Sequence, residues 1–168
     1  ALQLDGIGRF RASAFVQRSQ CGMVLRRIQE RVPSFKELGL PSVLTALAMA
    51  KRGLVIFVGA TGPGKSTSLA AMINHINSHR QAHIVTIEDP VEFTHNHRSC
   101  LVTQREVGGD TRAFSNALRS VLRQDPDIVL VGELRDHETI EAALTLAETG
   151  HLTFGTLHTS DAVQTINR

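Results

Sequence analysis

A glycine-rich loop that ends in lysine and serine carries the clearest chemical signal in this sequence. Its eight residues match the phosphate-binding pattern G-x-x-x-x-G-K-[ST] and are Gly59, Ala60, Thr61, Gly62, Pro63, Gly64, Lys65 and Ser66. In such a loop several backbone N–H groups converge on phosphate oxygens. The Lys65 ammonium can neutralise the β and γ oxygens, and the Ser66 hydroxyl can hold Mg²⁺. The loop therefore predicts a site for a nucleoside triphosphate.

Carboxylates follow two apolar runs elsewhere in the chain. Residues 83–87 lead directly into Glu88 and Glu92, and residues 127–131 lead into Glu133. The carboxyl ends of parallel strands share one edge of a sheet, where ligands bind in open α/β folds. Phosphoryl transfer needs Mg²⁺ and a group that orients or deprotonates water, so these three glutamates are the candidates. Capping or surface carboxylates remain the alternative interpretation.

Histidines occur in two further places. His158 follows the apolar run 151–157, so it falls at the same predicted edge and could sense the γ-phosphate. A hydrogen-bonded structural histidine is the alternative for this residue. His95 and His97 could suggest a metal, but no matching ligands accompany them, and we expect a solvated loop.

Strand and helix patterns alternate around these chemical groups. The strands are expected at 54–58, 83–87, 127–131 and 151–157, and the helices at 66–78, 111–124 and 137–149. Asp110 and Pro126 mark the ends of the second helix, Gly150 caps the third, and Ser42 caps an earlier helix that runs to about residue 51. The alternation predicts an α/β fold with a parallel sheet covered by helices.

Three regions follow from this pattern. Residues 1–32 are expected to be the C-terminal part of a small N-terminal α+β domain, with a half-exposed strand at 7–17. Residues 33–52 form a linker and a connecting helix. Residues 53–168 form the nucleotide-binding domain, which we expect to continue past the end of this sequence.

Composition narrows the classes of function. A net charge of +2 with scattered basic residues, and the absence of Trp and Tyr, argue against a nucleic-acid surface. No apolar run approaches the roughly 20 residues that cross a bilayer, so we expect a cytoplasmic protein without direct membrane insertion. Cys21 and Cys100 are too few and too far apart to predict a disulfide framework or a zinc site.

In this order the motifs resemble the type II and type IV secretion ATPase superfamily. The matching blocks are 59–67 as Walker A, 87–93 as the aspartate box, 127–136 as Walker B and 150–162 as the histidine box. Within that superfamily, three segments resemble the type IV pilus retraction ATPases of the PilT and PilU kind: 6–11, 104–108 and 147–152.

The resemblance implies a RecA-like P-loop NTPase core that uses ATP and Mg²⁺. It implies a hexameric motor for pilus retraction and twitching motility, either a homo-hexamer or a mixed assembly with a sister retraction ATPase. The expected partner is an inner-membrane pilus platform protein, and the expected location is the cytoplasmic face of that membrane at the pilus base. A pilus assembly or type II secretion ATPase is the alternative of the same class.

The resemblance also implies roles for individual residues. Thr67 joins the phosphate loop, Glu92 is the catalytic glutamate, and Glu133 is the Walker B acid that shares Mg²⁺ with Ser66. The histidine-box pair would be His151 and His158. Arginine fingers would come from the N-terminal strand, where the candidates are Arg9 and Arg11, with Arg26 and Arg27 as weaker ones.

One residue departs from the family pattern. Pro63 stands where the family usually has serine, and proline has no backbone N–H to donate to a phosphate. We expect nucleotide binding to survive, because the residues after it still donate, and turnover to fall. This departure keeps open a third function, that of a weakly active nucleotide-binding subunit that regulates a sister ATPase.

Overall fold

A parallel sheet of five strands positions the phosphate loop. In the computed structural model, which describes residues 2–29, 31–60, 62 and 64–158, its strand order is β4-β8-β7-β5-β6. The strands are β4 (Gly53–Val58), β5 (His83–Glu88), β6 (Leu101–Glu106), β7 (Ile128–Val131) and β8 (Leu152–Leu157). Because β8 lies between β4 and β7, the phosphate loop and Glu133 leave the sheet from strands separated by one neighbour.

Helices cover both faces of this sheet. They are α1 (Val43–Ala48), α2 (Lys65–His79), α3 (Phe114–Val121) and α4 (His137–Glu148), and a single 3₁₀ turn at Leu122–Gln124 follows α3. Successive strand residues point to opposite faces. Ile128 therefore packs in the cluster under α1 and α2, whereas Val129 packs in the cluster under α3 and α4. Burial on both sides explains why the central strands are continuous apolar runs.

A second, antiparallel sheet precedes this core. Its strands β1 (Leu2–Leu4), β2 (Gly8–Gln17) and β3 (Gln20–Arg27) lie in that order. Arg18 and Ser19 form the two-residue turn between β2 and β3, both with positive φ, which matches the right-handed twist of a hairpin. The strand expected at 7–17 is present, but most of its residues are exposed on both faces.

The ends of α4 follow from local hydrogen bonds. Asp136 accepts from the backbone N–H of Thr139, and the Thr139 hydroxyl lies within hydrogen-bond distance of the Asp136 backbone N–H, which makes a reciprocal capping box. At the other end, Gly150 has a φ of +108°, and the next N–H, that of His151, donates to the carbonyl of Leu146. The predicted role of Gly150 as the cap is confirmed.

One strand is missing from the sequence-based pattern, and two local predictions are wrong. The edge strand β6 was not predicted. The second core helix begins at Phe114 instead of 111, because the carboxylate of Asp110 accepts from the backbone N–H of Glu106 and closes a turn there. Ser42 has helical backbone angles and makes no side-chain capping bond, and α1 is a short helix that ends at Ala48. Among the described residues no helix has the length and apolarity that a membrane crossing requires.

Candidate nucleotide-binding site

The phosphate loop joins the end of β4 to the start of α2. Gly59 and Gly64 have φ values of +155° and +136°, which residues with a side chain rarely adopt. Gly64 is also the N-cap of α2, so no cap side chain occupies the N–H groups of the first turn. Those groups and the helix dipole favour an anion at this position. Thr61 and Pro63 lie outside the described residues.

The Lys65 side chain folds back over the loop. Its Nζ donates to the carbonyl of Gly59 at 2.8 Å and to that of Ala60 at 2.7 Å. An ammonium has three N–H donors. Lys65 can therefore keep both bonds and still donate to a phosphate oxygen.

A cleft of about 550 Å³ opens beside this loop, at the carboxyl ends of the parallel strands. Its lining includes the described loop residues Gly62, Gly64, Lys65, Ser66 and Thr67. The acidic loop, residues 88–93, contributes Glu88 and Glu92, and Glu133 and His158 complete that wall. The structure thus brings all four of these predicted side chains to one cleft.

Glu88 is the most enclosed of the carboxylates. Its Oε1 accepts from the Thr86 hydroxyl at 2.6 Å and from Gln104 Nε2 at 3.3 Å. Burial raises the pKa of Glu88 above its ordinary value, although these hydrogen bonds and one from the backbone of Glu92 oppose the shift. Glu92, by contrast, is exposed in the cleft. The two acids therefore differ in how far they are removed from water.

Glu133 lies in a network of charges. Its Oε2 accepts from Arg135 Nε at 2.7 Å, and its Oε1 lies 3.5 Å from His158 Nε2. Arg135 Nη1 also lies 3.4 Å from the carboxylate of Asp89 in the acidic loop. Sequence reasoning missed Arg135, although a cation two residues after a candidate metal ligand is a usable signal.

Two predicted site residues lie elsewhere. Arg9 Nη2 is 3.1 Å from Glu106 Oε2 and does not line the cleft. His151 lies at the opposite end of β8, where its Nδ1 is 2.9 Å from the carbonyl of Leu146. Of the candidate arginines, Arg11, Arg26 and Arg27 line the cleft.

The loop that carries His95 and His97 is held by hydrogen bonds. His97 is exposed, as we expected of a solvated loop, whereas His95 is half-buried. The backbone N–H of His95 donates to Gln104 Oε1 at 2.7 Å, and His97 Nδ1 accepts from the backbone N–H of Val102. His95 also lines the cleft, and its buried Nδ1 has no hydrogen-bond partner among the described residues. Burial, with Arg98 nearby, lowers the pKa of His95 to about 4. The ring is therefore neutral at physiological pH.

The donors suit Mg²⁺ held together with a nucleotide. No three His, Cys, Asp or Glu side chains within the described ranges group as a metal site by themselves. Mg²⁺ commonly takes only one or two protein ligands and completes its shell with phosphate oxygens and water. The Ser66 hydroxyl and the Glu133 carboxylate, both in the lining of the cleft, fit that pattern.

Comparisons with known proteins agree on one family. The family model for type II/IV secretion system proteins matches residues 6–168. Type IV pilus ATPase PilU of Pseudomonas aeruginosa is 56% identical over 168 residues, which are 100% of this chain and 44% of that protein. Type IV pilus retraction ATPase PilT of the same organism is 54% identical over 168 residues, 100% of this chain and 49% of that protein.

A solved structure supports the same relationship. The crystal structure of the pilus retraction motor PilT with bound ADP has a TM-score of 0.96 and 51% sequence identity, and the match covers 99% of this chain and 49% of that one. The predicted α/β fold with a RecA-like core is confirmed by this likeness and by the observed parallel sheet. The chain spans about half the length of these relatives.

Proposed function

The chain belongs to the family of type II/IV secretion system proteins, and we propose that the protein hydrolyses ATP as a motor subunit for type IV pilus retraction and twitching motility. One observation carries this proposal: Lys65 of the phosphate loop, Glu92 and Glu133 line a single cleft. The similarity to the pilus ATPases PilU and PilT, and the ADP bound to the solved PilT motor, support it.

Each part of the cleft has a proposed task. The first turn of α2 and Lys65 bind the phosphates. Ser66 and Glu133 would hold Mg²⁺, which when bound neutralises charge on the phosphate oxygens. Glu92, exposed in the cleft, orients the attacking water and accepts its proton. His158, beside Glu133, is placed to sense the terminal phosphate.

The basic wall from the N-terminal sheet supplies positive charge for the transition state. Arg11 lines the cleft, whereas the guanidinium of Arg9 is engaged with Glu106. We therefore favour Arg11 over Arg9 as an arginine finger, with Arg26 and Arg27 as the other candidates on this wall.

The proposal extends to the assembled protein. A homo-hexamer or a mixed assembly with a sister retraction ATPase would work at the cytoplasmic face of the inner membrane, on a pilus platform protein. A weakly active partner subunit is the second candidate, because Pro63 has no backbone N–H to donate to a phosphate. A pilus assembly or type II secretion ATPase is a third, which a retraction assay in cells lacking the gene would separate.

Lys65→Ala in the intact protein tests the enzymatic proposal. We expect ATP turnover to fall by about 100-fold or more, since the variant loses a charge aimed at the phosphates. Lys51→Ala removes the same charge from an exposed position outside the cleft and is the matched control. Loss of turnover in Lys65→Ala alone supports a motor. Wild-type protein without turnover, in which Lys65→Ala changes only the assembly with a sister ATPase, would favour the regulatory subunit instead.

A further inference from the structure

One carboxylate oxygen connects the two sheets of this protein. Glu106 Oε2 accepts from Arg9 Nη2 of the N-terminal sheet at 3.1 Å and from the backbone N–H of Val91 in the acidic loop at 3.2 Å. We propose that Glu106 is a positioning residue, through which the N-terminal sheet sets the place of Glu92. The proposal rests on the proposed function, in which Glu92 acts on the attacking water.

The hydrogen bond between Val91 and Glu106 can affect Glu92 because of where Val91 lies in the chain. Val91 directly precedes Glu92, and its N–H is fixed by Glu106. Phe93 directly follows Glu92 and pairs with Gln29, just after β3, in an isolated parallel bridge. The N-terminal segment therefore reaches the residues on both sides of Glu92. A shift of the N-terminal sheet would move this short piece of backbone from both ends.

The edge strand β6 provides a firm support for Glu106. The backbone N–H of Glu106 donates to the carboxylate of Asp110 at 2.8 Å, and the N–H of Asp110 donates back to the carbonyl of Glu106 at 2.8 Å. Two residues earlier on the same strand face, Gln104 donates to the carbonyl of Phe93 at 2.9 Å. Strand β6 thus forms hydrogen bonds with the acidic loop at Val91 and at Phe93, and it is also part of the core sheet.

Burial makes the link between Arg9 and Glu106 sensitive to the loss of either side chain. The side chain of Glu106 is 11% exposed and that of Arg9 is 27% exposed, so both charges are largely removed from water. A buried charge that loses its opposite charge and its hydrogen bonds is costly, so the place of the Glu106 side chain depends on these contacts. If Arg9 moved away with its sheet, Glu106 would reorient, and the bond to Val91 would weaken.

Three variants of the intact protein test the link. Glu106→Gln removes the negative charge with little change in shape, Arg9→Gln removes the positive charge and shortens the side chain, and Arg9→Lys keeps the positive charge. Arg119→Gln is the matched control, because Arg119 and Glu138 form an ion pair at 2.7 Å that is exposed and outside the cleft. The measurements are kcat and KM for MgATP, the affinity for a fluorescent ADP analogue, and amide hydrogen exchange of residues 88–95.

We expect Glu106→Gln and Arg9→Gln to lower kcat by about 10-fold to 100-fold, as misplacement of a catalytic group does, and to leave KM and ADP affinity unchanged. Arg9→Lys should recover part of kcat. A double variant that combines Glu106→Gln with Arg9→Gln should be no slower than the slower single one, because both changes break one link. The amide of Val91 should exchange faster in both Gln variants and at the wild-type rate in Arg119→Gln.

Three results would overturn the proposal: a wild-type kcat in Glu106→Gln, unchanged hydrogen exchange at Val91, or a parallel loss of kcat, ADP affinity and melting temperature, which marks a merely structural residue. Hydrogen exchange distinguishes failure of the positioning proposal from failure of the proposed function, because the exchange measurement needs no ATP turnover. If the wild type neither binds ADP nor hydrolyses ATP, the proposed function fails. Unchanged exchange at Val91 refutes the link itself.

Discussion

Arg135 holds Glu133 and reaches the acidic loop at the same time. Its Nε donates to Glu133 Oε2 at 2.7 Å, and its Nη1 lies 3.4 Å from the carboxylate of Asp89. The hydrogen bond to Glu133 raises the pKa of Arg135, so the guanidinium remains charged throughout the accessible pH range. A single side chain thus connects the segments that follow β7 and β5 at the edge where the cleft opens.

Arg135→Gln should lower turnover without unfolding the protein. The arginine side chain is 52% exposed, so the loss of its ion pairs should cost at most about 1 kcal/mol of stability. Glu133 would lose its orientation, and we expect kcat to fall about 10-fold. Steady-state ATPase assays and thermal unfolding of the same preparations measure both effects. An unchanged kcat would mean that Glu133 does not depend on Arg135.

Glu88 predicts a pH dependence of stability. Burial raises its pKa in the folded state above the ordinary 4.5, so the folded protein binds a proton here more readily than the unfolded chain. The stability that this bound proton contributes is fully present below pH 4.5. It is lost as the pH rises through the pKa that Glu88 has in the folded protein. Glu88→Gln has no proton to lose and should gain stability relative to the wild type as the pH rises from 4.5 to 8.

Thermal unfolding of both proteins across that range measures the effect. The amide oxygen that Glu88→Gln introduces would still accept from the Thr86 hydroxyl, so the variant should fold. A difference in melting temperature that stays constant with pH would contradict the prediction.

The sequence predicts the parts of the site that lie on strongly patterned elements. Residues 83–87 and 127–131 are buried apolar strands, so the side chains that follow them had to meet at one edge. The edge strand β6 carries no such pattern, because in Leu101–Glu106 only the first two residues are apolar. A strand with one neighbour can remain polar, and its role in holding the acidic loop shows only in the structure.

The arginines illustrate a second limit of sequence reasoning. Arg9 and Arg11 lie two residues apart on β2, so both point to the same side of the strand. The alternation of side chains along the strand therefore cannot show which of the two arginines reaches the cleft. The tertiary position of the sheet does, because it sets Arg9 against Glu106 and Arg11 against the cleft.

His95 should make the protein sensitive to mild acid. Burial lowers its pKa from 6.5 to about 4, so the unfolded chain takes up a proton there before the folded protein does. Above pH 6.5 this effect does not lower the free energy of unfolding. As the pH falls toward 4, the free energy of unfolding decreases by about 3 kcal/mol in all. His95→Gln should remove this part of the acid dependence.

Chemical denaturation between pH 4 and 7 gives the comparison. His137→Gln, at an exposed histidine that begins α4, is the control and should follow the wild type. Equal acid dependence in His95→Gln and the wild type would show that His95 is not held neutral by its surroundings.

Gly132 lies where the end of β7 touches the end of β5. Its N–H donates to the carbonyl of Ile87 at 2.8 Å, and a Cβ at this position would lie 3.1 Å from that same oxygen and 3.2 Å from the Cα of Glu88. Both of these neighbours are backbone atoms, which have little room to move inside a sheet. The close approach therefore favours glycine, because a Cβ would push these backbone atoms away by a few tenths of an ångström.

Gly132→Ala should destabilise the protein by about 1–3 kcal/mol, because overpacking forces the two strand ends apart. The same displacement moves the backbone of Glu88, so turnover should fall together with stability. Gly109→Ala is the control, since a Cβ there meets only Glu106 Cβ at 4.0 Å, an ordinary contact. Urea denaturation and ATPase assays of both variants check this prediction. Wild-type turnover in a destabilised Gly132→Ala would show that the cleft tolerates movement of Glu88.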